Sequence, residues 1–115
     1  AAYNQALAGL PLLLPPDAPG GSTHAWHLYV VRLTDAAHIS RDELIGELSA
    51  RGIGTSVHFI PLHRQPYWRD TCGLSPSQFP VAEASYHGML TLPLYTKMSD
   101  ADLARVAGAV RELVS

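Results

Sequence analysis

The sequence has 115 residues, of which 47% are hydrophobic and 16% are charged, with a formal net charge of −2. This composition indicates one folded domain with a core of its own rather than a disordered segment. The absence of a Lys/Arg run argues against a nucleic-acid surface, and no apolar stretch reaches the ~20 residues of a membrane helix. The single cysteine, Cys72, cannot form an internal disulfide, so a cytoplasmic setting is the simplest expectation.

The first third of the chain predicts a helix end, a loop and a strand. Residues 1–8 contain helix formers but no N-cap or proline, so we expect the last turns of a helix that begins upstream. Gly9 is a plausible stop, and a short extended piece at 12–14 precedes a loop at 15–22 that is rich in proline and glycine. Residues 25–33 are rich in β-branched and aromatic types, which predicts a central strand.

The middle of the chain predicts a helix followed by a second strand. Ser40 and Glu43 have the spacing of a capping box, and Gly52 supplies the stop of the helix that they open. Apolar and polar residues then alternate over 53–60, which predicts a strand that ends before Pro61. One face of that strand would carry Ile53, Thr55, Val57 and Phe59.

The last third predicts a loop at 62–77, a helix from Pro80 to about His87, a short strand at 89–92 and a final helix capped by Ser99. Three strands with three helices predict an α/β (α+β) domain that spans residues 1–115. We expect a small mixed or antiparallel sheet that is covered on one side by helices.

The segment 54–68, GTSVHFIPLHRQPYW, concentrates imidazole, guanidinium and aromatic groups around two prolines. Rigid loops on a stable scaffold often carry binding groups, so His58, His63, Arg64 and Tyr67 are candidate ligand contacts. The structural alternative is a stiff surface loop in which His58 is a satisfied polar residue. From the residues alone, both interpretations stay open.

The same segment suggests two further interpretations, a metal site and a catalytic triad, and neither has the spacing that its chemistry usually shows. A metal site could use His58 and His63 with Cys72 or His87, but the H-x4-H spacing across a proline is no recognised zinc pattern. Ser56, His58 and Asp70 could be drawn as a triad, but no nucleophile elbow accompanies them.

Other polar residues have simple structural interpretations. The Gly-Gly-Ser at 20–22 precedes a strand instead of opening a helix, so it does not predict a phosphate site. Lys97, the only lysine, is expected in a solvated turn and not in the desolvated setting of a Schiff-base lysine. We interpret Glu83 as a first-turn carboxylate favoured by the helix dipole, and Asp35 as a turn residue.

Five short motifs together resemble one protein family in order and spacing. They are WHLY at 26–29, LSARGI at 48–53, HFIPLH at 58–63 with QPY at 65–67, FPVAE at 79–83 and LTLPL at 90–94. The chain is similar over essentially its whole length to the C-terminal small domain of the DegT/DnrJ/EryC1/StrS sugar aminotransferases, which use pyridoxal phosphate. This resemblance implies the small domain of fold type I, with residues 1–9 ending a helix that connects it to a large N-terminal domain.

The resemblance also implies an activity for the longer protein. It would transfer an amino group from glutamate or glutamine to a keto sugar, usually nucleotide-linked, with pyridoxal phosphate bound by the absent N-terminal domain. No motif here matches the family's cofactor lysine, so the chain alone would be inactive. His58, His63, Arg64 and Tyr67 would contact substrate, and the longer protein would be a cytoplasmic homodimer with no nucleic-acid or membrane partner.

Two alternatives accompany this interpretation. The longer protein could be a dehydrase or a regulatory relative within the same family, which would differ at the cofactor lysine. The chain could also be a stand-alone ligand-binding or dimerisation module without a cofactor.

Overall fold

The computed structural model describes residues 2–115, and Ala1 lies outside the described residues. Five helices and three strands follow one another along this part of the chain. They are α1 (Ala2–Ala6), β1 (Leu12–Leu13), β2 (Tyr29–Leu33), α2 (Arg41–Ala50), α3 (Pro66–Cys72), α4 (Pro80–Gly88), β3 (Met89–Leu92) and α5 (Asp100–Val114). Two 3₁₀ turns, Leu62–Arg64 and Pro76–Gln78, flank α3. Among these described residues, no helix is both long and apolar enough to cross a membrane.

The three strands form one antiparallel sheet in the order β1-β2-β3. Tyr29 pairs with Leu92 and Val31 pairs with Leu90, so these four side chains share one face of the sheet. All four are at most 2% exposed. The predicted fold class, a small antiparallel sheet with helices packed on it, is confirmed.

The core joins this face of the sheet to three helices. It contains Tyr3 from α1, Leu44 and Leu48 from α2, and Val106 and Val110 from α5. The predicted capping box at the start of α2 is present, and Ser99 caps α5 as predicted, where Asp102 completes a second capping box. Caps of this kind contribute about 1 kcal/mol each.

The predicted strand at 53–60 is wrong except at one position. Ser56 and Thr91 form a single antiparallel bridge, with N···O distances of 3.2 and 2.8 Å. A longer ladder would need hydrogen bonds from the backbone N–H groups of residues 89 and 93. The N–H of Met89 already donates to Ser85 O, and Pro93 has no N–H group. Phe59 is consequently 94% exposed instead of buried on a strand face.

Two other predictions about local structure are wrong. β2 begins at Tyr29 and not at residue 25, because Trp26 has φ 48°, in the left-handed region that interrupts an extended chain. The predicted loop at 62–77 contains α3, which begins with Pro66 and ends before Gly73 with φ 60°. A proline at the start of α3 and a glycine after its end are usual helix signals. Because none of its residues is buried, its sequence lacks the apolar stripe that would have predicted a helix.

Candidate functional site

Glu83 is the centre of a cluster of hydrogen bonds that contains two of the predicted site residues. Its Oε1 accepts from His63 Nε2 at 2.5 Å and from Arg64 Nε at 2.7 Å. Its Oε2 accepts from Arg64 Nη2 at 2.5 Å. The His63 side chain is 5% exposed and the Glu83 side chain 13% exposed, so water competes little for these contacts. The guanidinium therefore binds the carboxylate in the bidentate fork that gives the strongest ion pairs.

Local structure explains why these groups meet. The 3₁₀ turn Leu62–Arg64 presents two consecutive polar side chains, and α4 places Glu83 in its first turn. His87 lies one turn further along α4, and its Nε2 is 3.2 Å from Glu83 Oε2 and 3.1 Å from Arg64 Nη2. One short turn and one helix face thus assemble a carboxylate, a guanidinium and two imidazoles.

The electrostatic consequence is a strongly ionised carboxyl group. Hydrogen bonds from Arg64 and then His63 lower the pKa of Glu83 to about 2. The same ion pair raises the pKa of Arg64 above its usual value. Glu83 is therefore fully charged at neutral pH and acts only as an acceptor.

Aromatic rings frame the cluster. The His63 ring stacks on Phe79, with ring centroids 4.6 Å apart and an interplanar angle of 17°. The Arg64 guanidinium lies over the Tyr86 ring at 5.6 Å, and that of Arg41 lies near the same ring at 5.2 Å. These contacts restrict the side chains that Glu83 holds.

The other two predicted contacts lie apart from this cluster. His58 Nε2 is hydrogen-bonded to Thr91 Oγ1 at 3.1 Å, on the sheet face opposite the core. Tyr67 is 67% exposed and packs edge-on against Trp68, with ring centroids 5.2 Å apart. The structure therefore brings His63 and Arg64 together and gives His58 and Tyr67 separate neighbours.

The assignment of Glu83 to the helix dipole alone is incomplete. The residue does lie in the first turn of α4, but its contacts to His63 and Arg64 dominate its surroundings. The spacing of Glu83 and His87, one helical turn apart, was the only local signal of the cluster. No sequence pattern gives the contact across 19 or 20 residues to the turn.

A pocket of about 280 Å³ opens beside the cluster and is lined by His63, Arg64, Arg69 and Pro76. Arg69 is exposed and pairs with Asp70 through contacts of 2.6 and 3.1 Å. Arg64 and Arg69 can donate hydrogen bonds into the pocket, and His63 adds an imidazole ring. Chemically, this lining suits a polar ligand with hydroxyl or anionic oxygen groups.

The other chemistries considered from the sequence are not assembled here. Asp70 is paired with Arg69 and His58 with Thr91, so the triad that would have included Ser56 does not form. Within residues 2–115, no three His, Cys, Asp or Glu side chains lie close enough together to hold a metal ion. Lys97 is exposed in the turn before α5.

The segment from the Ser56 bridge to the first residue of the 3₁₀ turn exposes an apolar run. The exposed fractions are 36% at Val57, 94% at Phe59, 50% at Ile60 and 63% at Leu62. Large apolar side chains that are exposed close together mark surfaces that other protein surfaces cover. The run lies immediately before His63, so the cluster and this apolar surface are neighbours along the chain.

Comparison with known proteins agrees with this fold. The sequence profile of the DegT/DnrJ/EryC1/StrS aminotransferase family matches residues 1–111. The uncharacterized protein MJ1066 of Methanocaldococcus jannaschii is 43% identical over 114 residues, 98% of this chain and 30% of the relative. The spore coat polysaccharide biosynthesis protein SpsC of Bacillus subtilis is 42% identical over 114 residues, 97% of this chain and 29% of the relative.

Solved structures share the fold. Spr1654 from Streptococcus pneumoniae, described as a sugar aminotransferase in its PMP form, superposes with a TM-score of 0.85 at 27% identity. That match covers 97% of this chain and 28% of the other. DesI, solved with its TDP-sugar product, superposes with a TM-score of 0.78 at 30% identity, over 96% of this chain and 28% of the other.

These matches define the class of protein. The chain belongs to the DegT/DnrJ/EryC1/StrS aminotransferase family. It spans about 30% of the length of the curated relatives that it matches.

Proposed function

We propose that this chain is the C-terminal small domain of a pyridoxal phosphate-dependent enzyme that transfers an amino group from glutamate or glutamine to a nucleotide-linked keto sugar. Membership in the family supports the amino transfer, and the TDP-sugar product bound to DesI supports a nucleotide-linked substrate. The whole enzyme would be a cytoplasmic homodimer. Mass measurement of the longer protein in solution tests the dimer directly.

The observation that carries this proposal is the pocket beside the Glu83 cluster. His63, Arg64 and Arg69 line it next to an exposed apolar run, and the two arginines supply hydrogen-bond donors. Arg64 uses Nε and Nη2 on Glu83, which leaves Nη1 for a ligand. Such a lining could hold sugar hydroxyls or diphosphate oxygens on one side, while another part of the protein supplies the opposite wall.

Tyr67 and His58 are the other two proposed substrate contacts, and they lie apart from the pocket lining. Tyr67 is exposed on α3, which directly follows the 3₁₀ turn that carries His63 and Arg64. His58 uses Nε2 on Thr91 and is half-buried, so its other ring nitrogen is the one available to a ligand. All four proposed contacts bind or orient substrate.

The residues described here do not fit the covalent attachment of pyridoxal phosphate. A lysine that bonds to this cofactor needs a desolvated site, whereas Lys97 is exposed in a turn. We therefore assign no cofactor step to this chain. We propose that a large domain, joined to this chain at the end that carries α1 (Ala2–Ala6), binds the cofactor and covers the apolar run. When bound, pyridoxal phosphate supplies the electron sink for amino transfer.

Visible absorption spectra test this proposal. The 115-residue chain and the longer protein are each mixed with pyridoxal phosphate, then with glutamate, and treated with borohydride before intact-mass measurement. We expect a bound-cofactor band, its loss on adding glutamate and a trapped adduct in the longer protein only. Product analysis with a keto sugar then separates amino transfer from dehydration.

Other results would change the assignment. A trapped adduct on the 115-residue chain would contradict the location of the cofactor. No band and no adduct in either protein would contradict the cofactor altogether and favour a stand-alone binding or dimerisation module.

A further inference from the structure

We propose that Glu83 is a positioning residue that keeps a proton on Nε2 of His63 and leaves Nδ1 of the same ring as a hydrogen-bond acceptor for a sugar hydroxyl in the adjoining pocket. The identity of the ligand rests on the proposed function. The state of the imidazole ring does not, because it follows from contacts within this chain.

One hydrogen lies between His63 and Glu83. Two atoms 2.5 Å apart, a ring nitrogen and a carboxylate oxygen, need one hydrogen between them. An ionised carboxylate has no hydrogen to give, and the fork from Arg64 keeps Glu83 ionised. Nε2 of His63 therefore carries the hydrogen, whether the ring is neutral or protonated.

The orientation of the His63 ring is fixed by its neighbours. Stacking on Phe79 fixes the ring plane, and turning the ring over would replace the N–H at Glu83 by a C–H. The carboxylate cannot follow such a movement, because the two-point contact with Arg64 holds both of its oxygens. Glu83 thus determines which edge of His63 faces away from α4.

Nδ1 is the second nitrogen of the His63 ring. Within the described part of the chain, the fully buried side-chain nitrogens that lack a partner belong to Arg41 alone. Because no hydrogen bond occupies Nδ1 of His63, this atom is not sealed in the interior, and the ring that carries it lines the pocket with Arg64 and Arg69. In the neutral ring, Nδ1 has a lone pair and no hydrogen, so it accepts a hydrogen bond.

The protonation and orientation of the His63 ring determine which groups the pocket offers to a ligand. Nδ1 of His63 accepts from a hydroxyl group, while Arg64 Nη1 and the Arg69 guanidinium donate to oxygen atoms. A sugar offers both kinds of group on neighbouring carbons. A ligand with acceptors only, such as a carboxylate, would use the arginines and leave Nδ1 without a partner.

Imidazole nitrogen NMR shifts of histidine-labelled protein test the ring state. At a pH where His63 is neutral, we expect its Nε2 to give a protonated signal and its Nδ1 an unprotonated one, with His63→Gln identifying the pair. In Glu83→Gln, an amide cannot accept at both oxygen positions, so we expect this preference to weaken or reverse. Glu112→Gln is the matched control, because it breaks an ion pair with Arg51 on another part of the surface.

Kinetics of the longer protein test the consequence for the ligand. Loss of one neutral hydrogen bond costs about 1 kcal/mol, so Glu83→Gln should raise KM for the keto sugar roughly five- to tenfold. We expect kcat to change by a smaller factor, and Glu83→Asp, which keeps the charge, to recover part of the KM. Glu112→Gln should match the unaltered protein.

The outcomes separate the two proposals. A protonated Nδ1 with an unprotonated Nε2 in the unaltered protein would overturn the positioning role, and this result needs no variant to fold. Sugar turnover with equal KM in Glu83→Gln and Glu112→Gln would overturn the role in substrate binding. An absence of sugar turnover together with the expected ring state would contradict the proposed function and leave the role of Glu83 intact.

Discussion

Gly88 joins α4, which carries Glu83, to β3, and the space around it excludes a larger residue. A Cβ added at this position would lie 2.8 Å from Arg32 Cγ and 2.9 Å from the backbone oxygen of Leu33. The φ angle of Gly88 is not positive, so alanine could adopt the same backbone conformation. Gly88→Ala should therefore destabilise the fold through steric contact of the new methyl group and not through backbone strain.

The magnitude follows from which atoms would have to move. Carbon atoms in contact prefer about 3.5–4.0 Å, so the new methyl group must displace its neighbours by roughly half an ångström or more. The Arg32 side chain can shift, but the Leu33 oxygen belongs to a strand residue that pairs with Leu12. Overpacking of this kind costs about 1–3 kcal/mol, partly offset by the better helix propensity of alanine.

Urea unfolding followed by circular dichroism measures this effect. We expect Gly88→Ala to lower the free energy of unfolding by about 1–2 kcal/mol. Gly46→Ala in α2 and Gly108→Ala in α5 are matched controls, because both glycines lie inside helices with nothing within 4 Å of an added Cβ. These controls should raise stability by about 0.5–1 kcal/mol each.

The sign of the difference decides the question. If Gly88→Ala proved as stabilising as Gly46→Ala, the close packing of α4 against β2 would be contradicted, and with it the position assigned to Glu83.

Two pH predictions follow from the shifted groups. The low pKa of Glu83 means that its contribution to stability is present above its ordinary pKa of 4.5 and is lost as pH falls through about 2. The stability gap between the unaltered protein and Glu83→Gln should therefore shrink over that range, and a constant gap would contradict the ion pair. Burial raises the pKa of Tyr3 and of Tyr29 to about 12. Their contribution is present below the ordinary value of 10.0 and is lost as pH rises through about 12, so ultraviolet titration should show two delayed phenols, one of which disappears in Tyr29→Phe.

Local signals predicted the parts of the fold that depend on local interactions. The S-x-x-E and S-x-x-D spacings at Ser40 and Ser99 place a side chain and a backbone N–H within one turn, so α2 and α5 were predictable. The apolar β3, ended by Pro93, was predictable for a similar reason. The alternating pattern at 53–60 predicted a strand, but it could not show that the neighbouring strand, β3, can pair with it only at Thr91. The N–H group of Met89 is already used and Pro93 has none.

The candidate site was predictable only in part. The density of polar groups between two prolines identified His63 and Arg64, and the structure brings them together. The same pattern grouped His58 and Tyr67 with them, because one sequence cannot show that His58 turns toward the sheet. The sequence did not predict Glu83 as the partner of His63 and Arg64, because α3 separates the 3₁₀ turn at 62–64 from α4 along the chain.

The most direct test of this account measures substrate and cofactor binding separately in the longer protein. The variants are His58→Ala and His63→Ala, with His38→Ala, an exposed histidine before α2, as the control. We expect KM for the keto sugar to rise roughly fivefold in the first two variants, since a lost hydrogen bond is worth about 1 kcal/mol. The Kd for pyridoxal phosphate should stay within about twofold. If both histidine variants behaved like His38→Ala toward the sugar, or if they lost the cofactor instead, the assignment of this domain to the substrate side of the active site would be contradicted.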